Sequence, residues 1–199
     1  MKILTLPLGV LEANCYLVWN ETESLCAVID PGGSAQTLIE ELQKNGLTPA
    51  AVLLTHGHFD HVGATRALSE QYSLPIYIAE ADTDTPMSHG RLFYTDTYAE
   101  GDEIAVGSLR FRVLSTPGHS LGSVCLLCGD ALFSGDTLFQ GSMGRTDFKG
   151  GDPQQMLRSL KRLGELPGNL HVYPGHGEAT TLDEERSSNY YLKEAMRLL

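Results

Sequence analysis

Short apolar runs bounded by glycine, proline or polar turns recur along the whole chain, and they predict strands. In the first half these runs are Ile3–Leu8, Cys15–Trp19, Leu25–Ile29, Ala51–Leu54 and Pro75–Ile78. Between the third and fourth, Ala35, Leu38, Ile39 and Leu42 follow the i, i+3, i+4, i+7 spacing of a helix face, and Gly46 supplies a stop. A second helix is expected from about Asp60, with Val62, Thr65, Leu68 and Tyr72 on one face. In the second half, Leu109, Phe111 and Val113 alternate with Arg110 and Arg112, the pattern of a half-exposed strand. Ser123–Cys128 and Ala131–Ser134 flank Gly129-Asp130 as the two arms of a hairpin, and Leu170–Tyr173 is a further strand. Asp152-Pro153 gives an N-cap and a proline at the first helical position, with Gln155 at the capping-box position; Thr181 and Glu184 repeat that signal before a C-terminal helix. Strands with helices interleaved predict an α/β (α+β) chain in which two sheets are sandwiched between helices. Residues 81–101 break the regularity, and a connection that long is expected to flank an active site.

Composition narrows the setting. The 199 residues are 42% hydrophobic and 20% charged, which suits one folded domain over residues 1–199. A formal net charge of −11 disfavours a nucleic-acid partner but leaves room for a local basic pocket. Pro7 and Gly9 interrupt the N-terminal apolar run, so a first strand is a simpler reading than a signal peptide, and no stretch has the roughly 18 apolar residues of a membrane span. A cytoplasmic protein without membrane partners is expected; its oligomeric state is not legible. Cys125 and Cys128 stand on one predicted strand at a spacing that points them to opposite faces, so buried thiols are expected rather than a metal or redox pair.

The chemistry concentrates after the Ala51–Leu54 strand, in His56-x-His58-x-Asp60-His61. Alternate spacing in an extended turn can aim His56 and His58 at one point, while Asp60 and His61 fall at the following helix start. Three further ligand-capable residues follow predicted strands in glycine-bearing turns: His119 in Thr-Pro-Gly-His, Asp136 in Ser-Gly-Asp-Thr and His176 in Tyr-Pro-Gly-His. Imidazoles and carboxylates together suit zinc, iron or manganese. A single histidine beside glycine is usually only a loop residue, and Asp60 alone could be a helix cap. The joint pattern is much harder to dismiss.

These motifs, from Asp30-Pro-Gly to Pro174-Gly-His-Gly, resemble the metallo-β-lactamase fold superfamily. The resemblance implies a four-layer αββα sandwich with a metal centre at one edge. It places one divalent ion on His56, His58 and His119 and a second on Asp60, His61 and His176, with Asp136 bridging them and Asp30 orienting a ligand histidine. Zinc is the expected metal, with iron or manganese as alternatives. The segment Ser134 to Phe148, which contains Gly-Arg-Thr-Asp-Phe, is similar to short bacterial glyoxalase II-like hydrolases and to persulfide dioxygenases of the same superfamily. That likeness implies a hydroxyacylglutathione hydrolase-like thioesterase acting on a small acyl thioester through a metal-activated hydroxide. Asp60 would be the catalytic carboxylate, and Arg145 at the pocket mouth would bind a substrate carboxylate. Pairing of Arg145 with Asp147 or Asp152 is the competing reading. No C-terminal glutathione-binding helical domain is expected.

Other activities share much of the ligand set. A persulfide dioxygenase would use one iron on His56 or His58, His119 and Asp136. A lactonase would need nearly the same residues, and a non-catalytic metal-binding scaffold would keep them without turnover. Zinc β-lactamases lack a bridging aspartate, flavin-linked diiron proteins need a partner domain, and nucleases of this fold carry basic insertions.

Overall fold

A computed structural model describes residues 1–198. Fourteen strands and six α-helices follow one another as β1 (Lys2–Leu8), β2 (Ala13–Trp19), β3 (Leu25–Ile29), α1 (Ala35–Lys44), β4 (Thr48–Leu53), α2 (Phe59–Val62), α3 (Thr65–Tyr72), β5 (Ile76–Ala79), β6 (Asp96–Tyr98), β7 (Glu103–Val106), β8 (Leu109–Ser115), β9 (Val124–Cys128), β10 (Ala131–Gly135), β11 (Leu138–Phe139), β12 (Ser142–Met143), α4 (Pro153–Gly164), β13 (His171–Pro174), β14 (Thr180–Thr181), α5 (Leu182–Ser188) and α6 (Tyr190–Leu198).

The strands make two six-stranded sheets, ordered β1-β2-β3-β4-β5-β6 and β14-β13-β10-β9-β8-β7; β11 and β12 form a separate ribbon. Both sheets are mixed: β3, β4, β5 and β6 pair in parallel, as do β10 and β13, and the other pairs are antiparallel. Strand alternation sorts the apolar side chains into three cores. Tyr16, Val18, Ile29 and Leu53 meet Phe111, Val113, Leu126 and Phe133 between the sheets. Leu17 and Val28 point the other way, onto Leu38, Leu42 and Leu68 of α1 and α3. On the far side, Leu114 and Leu132 pack on Met156, Leu160 and Leu163 of α4 and on Leu192 of α6. The result is the predicted layering of helix, sheet, sheet and helix. Cys125 and Cys128 fall in different cores, as their spacing requires, and all four cysteines are free and buried.

The expected second helix is two helices. Ala64 donates its N–H to Pro31 O at 2.8 Å, and a Cβ on Gly63 would stand 2.5 Å from Gly32 O. The chain is therefore pinned against the Pro31–Gly33 turn between α2 and α3, a tertiary contact that local periodicity does not reveal. The helix predicted from Thr181 is likewise divided, at Asn189, whose side chain accepts from the N–H groups of Tyr191 and Leu192 and so caps α6. Both predicted N-caps are present. Asp152 accepts from the N–H groups of Gln154 and Gln155, and Thr181 accepts from Glu184. Residues 81–101 are built of two 3-10 turns and strand β6. No helix among the described residues is long and apolar enough to cross a membrane.

Candidate metal centre

The ligand-capable side chains gather because the strands that precede them end at one edge of the sandwich. Asp30 directly follows β3, the His56–His61 segment follows β4, His119 follows β8, Asp136 follows β10 and His176 follows β13. Close backbone approaches bring the turns together. A Cβ on Gly175 would lie 2.2 Å from Asp136 Oδ1 and 2.9 Å from His61 Cε1, so the Pro174-Gly175-His176 turn can sit against the site only with glycine in its middle. Asn14 and Tyr16 of β2 anchor that turn from below, both donating to Pro174 O.

Two groups of side chains result. His56, His58 and His119 each offer a nitrogen within 4.8 Å of the others, and Asp60, His61 and His176 do the same. Asp136 lies between them. Its Oδ2 is 3.4 Å from His119 Nε2 and 3.7 Å from His176 Nε2, and its Oδ1 is 3.5 Å from His61 Nε2. Asp60 Oδ2 lies 3.3 Å from His176 Nε2. All seven predicted ligand residues are thus brought together.

Groups on the protein side fix the ring orientations. Asp30, with φ of 49°, turns its buried carboxylate onto Thr55, accepting from the N–H at 2.7 Å and from Oγ1 at 2.6 Å, and onto His61 Nδ1 at 3.0 Å. Asp30, His56 and His61 also lie close enough to hold an ion. We assign Asp30 to orientation, because its oxygens are already engaged by these donors. Thr55 Oγ1 is 3.1 Å from His56 Nδ1, and His119 Nδ1 donates to Arg145 O at 2.8 Å. These contacts leave Nε2 of His56, His61 and His119 aimed into the site.

Charge is arranged unevenly. Burial, reinforced by the neighbouring imidazoles, lowers the His56 pKa well below its usual range and that of His58 to about 4. Burial also opposes charge on His61, but Asp136, Asp30 and Asp60 outweigh it and raise that ring to about 9. For Asp60, burial acts upward, while the hydrogen bond from His176 and the charge of His61 act downward more strongly and hold it at about 2.

A cleft of about 370 Å³ opens above the cluster, walled by Leu11, Phe59, Met87, Phe139, Met143 and Phe148 and floored by polar residues including His58, Asp60, His119, Asp136 and His176. Arg145 lines its mouth, but its guanidinium does not face it freely. Nε and Nη2 each hold an Asp147 carboxylate oxygen at 2.6 Å, and the group stacks 4.0 Å above Phe148. The expected free carboxylate receptor is therefore an ion-paired side chain, which is the competing reading given above.

Asp82 was not anticipated. It is buried in the 81–101 segment and accepts from Gly57 N at 2.9 Å, Ser120 Oγ at 2.7 Å and Gly122 N at 2.7 Å. One carboxylate thus ties the turn between His56 and His58 to the turn carrying His119. Only its place in a long irregular connection gave any signal of this.

Comparison with known proteins agrees with this geometry. The model of the "Metallo-beta-lactamase superfamily" matches residues 8–176. The chain belongs to the metallo-β-lactamase superfamily. Among superfamily relatives, "Probable metallo-hydrolase YqgX" of Bacillus subtilis is 36% identical, covering 96% of this chain and 98% of that protein. "Hydroxyacylglutathione hydrolase GloC" of Haemophilus influenzae is 33% identical, with coverage of 96% and 98%. Two solved structures of the superfamily superpose closely. "BLEG-1 B3 metallo-beta-lactamase" has a TM-score of 0.87 at 35% identity, covering 96% of this chain and 99% of that one. "TTHA1623 in a di-iron-bound form" has a TM-score of 0.84 at 39% identity, with coverage of 96% and 100%. Together with the clustered histidines and aspartates, these relatives support a metal-dependent hydrolase of the superfamily.

Proposed function

We propose that the chain is a binuclear metallohydrolase that cleaves hydroxyacyl-glutathione-type thioesters. One observation carries the reading. Nε2 of His56 and His61 and Oδ1 of Asp136 are buried without a hydrogen-bond partner, beneath an open cleft that Asp136 helps to line. Unsatisfied buried polar atoms are rare in folded proteins and costly, and three gathered together call for a cation. The donors are nitrogen and carboxylate oxygen, which fits zinc first and iron or manganese next. His58 Nδ1 and His119 Nε2 stand 2.9 Å apart, and two imidazole lone pairs that close repel unless a proton or a cation is shared.

On this reading His56, His58 and His119 would hold one ion and Asp60, His61 and His176 the other, with the Asp136 carboxylate between the two groups. Such a pair would supply Lewis acidity toward a carbonyl oxygen and lower the pKa of bound water toward about 7. The chain's own residues do the rest. Asp60, ionised and partly open to the cleft, would orient the attacking water. The apolar walls hold the acyl chain and thin out competing water. The name of the Haemophilus relative and the Gly144-Arg145-Thr146-Asp147-Phe148 segment support the thioester class.

The test is hydrolysis of a hydroxyacyl thioester of glutathione by metal-loaded protein, with Asp136→Ala and His58→Ala beside it. Turnover that both substitutions abolish, and that chelation removes, is expected. Full activity in either variant contradicts the assignment. Oxygen uptake with glutathione persulfide, or lactone cleavage with no thioester cleavage, replaces it with the dioxygenase or lactonase.

A further inference from the structure

We infer that Arg91, and not Arg145, recognises an anionic group on the thiol half of the substrate, in a small side pocket that extends the cleft; this rests on the thioesterase reading above. The side pocket has a volume of about 140 Å³ and is lined by Gly9, Val10, Leu11, Gly32, Phe59, Asp60 and Arg91. It shares Leu11, Phe59 and Asp60 with the main cleft and so adjoins it, which places Arg91 within reach of the far end of a ligand seated on the histidine cluster.

Two arginines line these adjoining spaces, and they differ in what already holds them. Arg145 is engaged by both oxygens of Asp147. Arg91 is exposed and has no carboxylate partner among the described residues. Its guanidinium lies 5.7 Å from the centre of the Phe59 ring, and His89 stacks on the same residue at 4.8 Å with the planes 5° apart. This aromatic support restrains the arginine while leaving its fork of N–H donors free for a planar carboxylate. Asp60 is the one acidic wall of the pocket, and its Oδ2 is turned to His176 and His61 at 3.3 and 3.8 Å. In a chain of net charge −11, an unpaired arginine beside the cleft gives an anionic substrate a local attraction that the overall field denies it.

The experiment compares two thioesters with the same hydroxyacyl group, one on glutathione, which carries two carboxylates, and one on uncharged N-acetylcysteamine. Arg91→Gln should raise KM for the glutathione thioester roughly tenfold, the usual worth of one charged hydrogen bond, with kcat unchanged and the neutral thioester unaffected. Arg91→Lys should recover part of the loss, and Arg145→Gln should not discriminate between the two substrates. An equal effect of Arg91→Gln on both thioesters, no effect on either, or discrimination lost in Arg145→Gln instead overturns the inference. Calorimetry with unreactive S-methylglutathione separates this from the functional reading. If neither thioester is cleaved the thioesterase assignment falls, and the Arg91 site then stands or falls on whether Arg91→Gln weakens that binding by a similar factor.

Discussion

Replacing Asp82 by alanine is expected to weaken both the fold and the metal centre, although Asp82 is not among the proposed ligands. The carboxylate accepts from Gly57 N, Gly122 N and Ser120 Oγ. Ser120 Oγ keeps a partner in Ser123 Oγ at 2.7 Å, so two buried N–H groups lose theirs. Each orphaned buried donor costs about 1–3 kcal/mol, which gives a loss of roughly 2–6 kcal/mol. That is a large part of the 5–15 kcal/mol typical of a whole domain. Because Gly57 lies between His56 and His58 while Ser120 follows His119, the same change loosens two turns of the site, and metal affinity should fall by about 10–100-fold. Urea unfolding of metal-stripped protein measures the first effect, and competition with a chromophoric chelator measures the second. Asp82→Asn keeps one carboxylate-like oxygen but sets an amide against an N–H, so it should lose about half as much. Unfolding and metal affinity both indistinguishable from the unsubstituted protein would refute this role for Asp82.

Other changes follow from the same contacts. Gly175→Ala places a methyl group against Asp136 and His61, and metal binding should fall sharply while the circular-dichroism spectrum stays that of the parent. Glu100 accepts from both Nη atoms of Arg162 and from Ser115 N, and the Arg162 contact does most to hold its pKa at about 2 against the usual 4.5. This stabilisation is fully present above pH 4.5 and lost as the pH falls toward 2. Since the pair is well exposed, Glu100→Gln should cost only about 0.5–1 kcal/mol at pH 7, and the gap in urea midpoints should close below pH 3. In the metal-free chain the acidic neighbours of His61 raise it to about 9, so metal uptake at pH 7 should release protons. Calorimetric heats that vary with buffer ionisation enthalpy would show it; heats independent of buffer would contradict it.

The fold was legible wherever one face of an element carried its own record. The alternation of Leu109, Phe111 and Val113 marked β8, and the helical spacing of Leu38 and Leu42 marked α1; these side chains lie in the cores, Leu109 at the edge of one. The seven proposed ligand residues were legible because each sits in a glycine-bearing turn or a dense motif directly after a strand. What sequence left hidden was set by contacts between distant segments. The break between α2 and α3 depends on Pro31 and Gly32, and the role of Asp82 depends on donors 25 to 40 residues away. Strand β6 is written in polar residues, Asp96-Thr97-Tyr98, because it lies at a sheet edge. Arg145 shows the opposite case. Its guanidinium is paired with Asp147, two residues along the chain, a local contact that the sequence already offered beside the role implied by resemblance.

The most direct test of the account is metal stoichiometry. Protein purified without added metal, then titrated with zinc and analysed by mass spectrometry under native conditions, should bind two ions per chain. Asp136→Ala, which removes the carboxylate between the two groups, should lower that number and abolish thioester hydrolysis with it. A single ion in the unsubstituted protein, or two ions retained with full activity in Asp136→Ala, would contradict the binuclear centre.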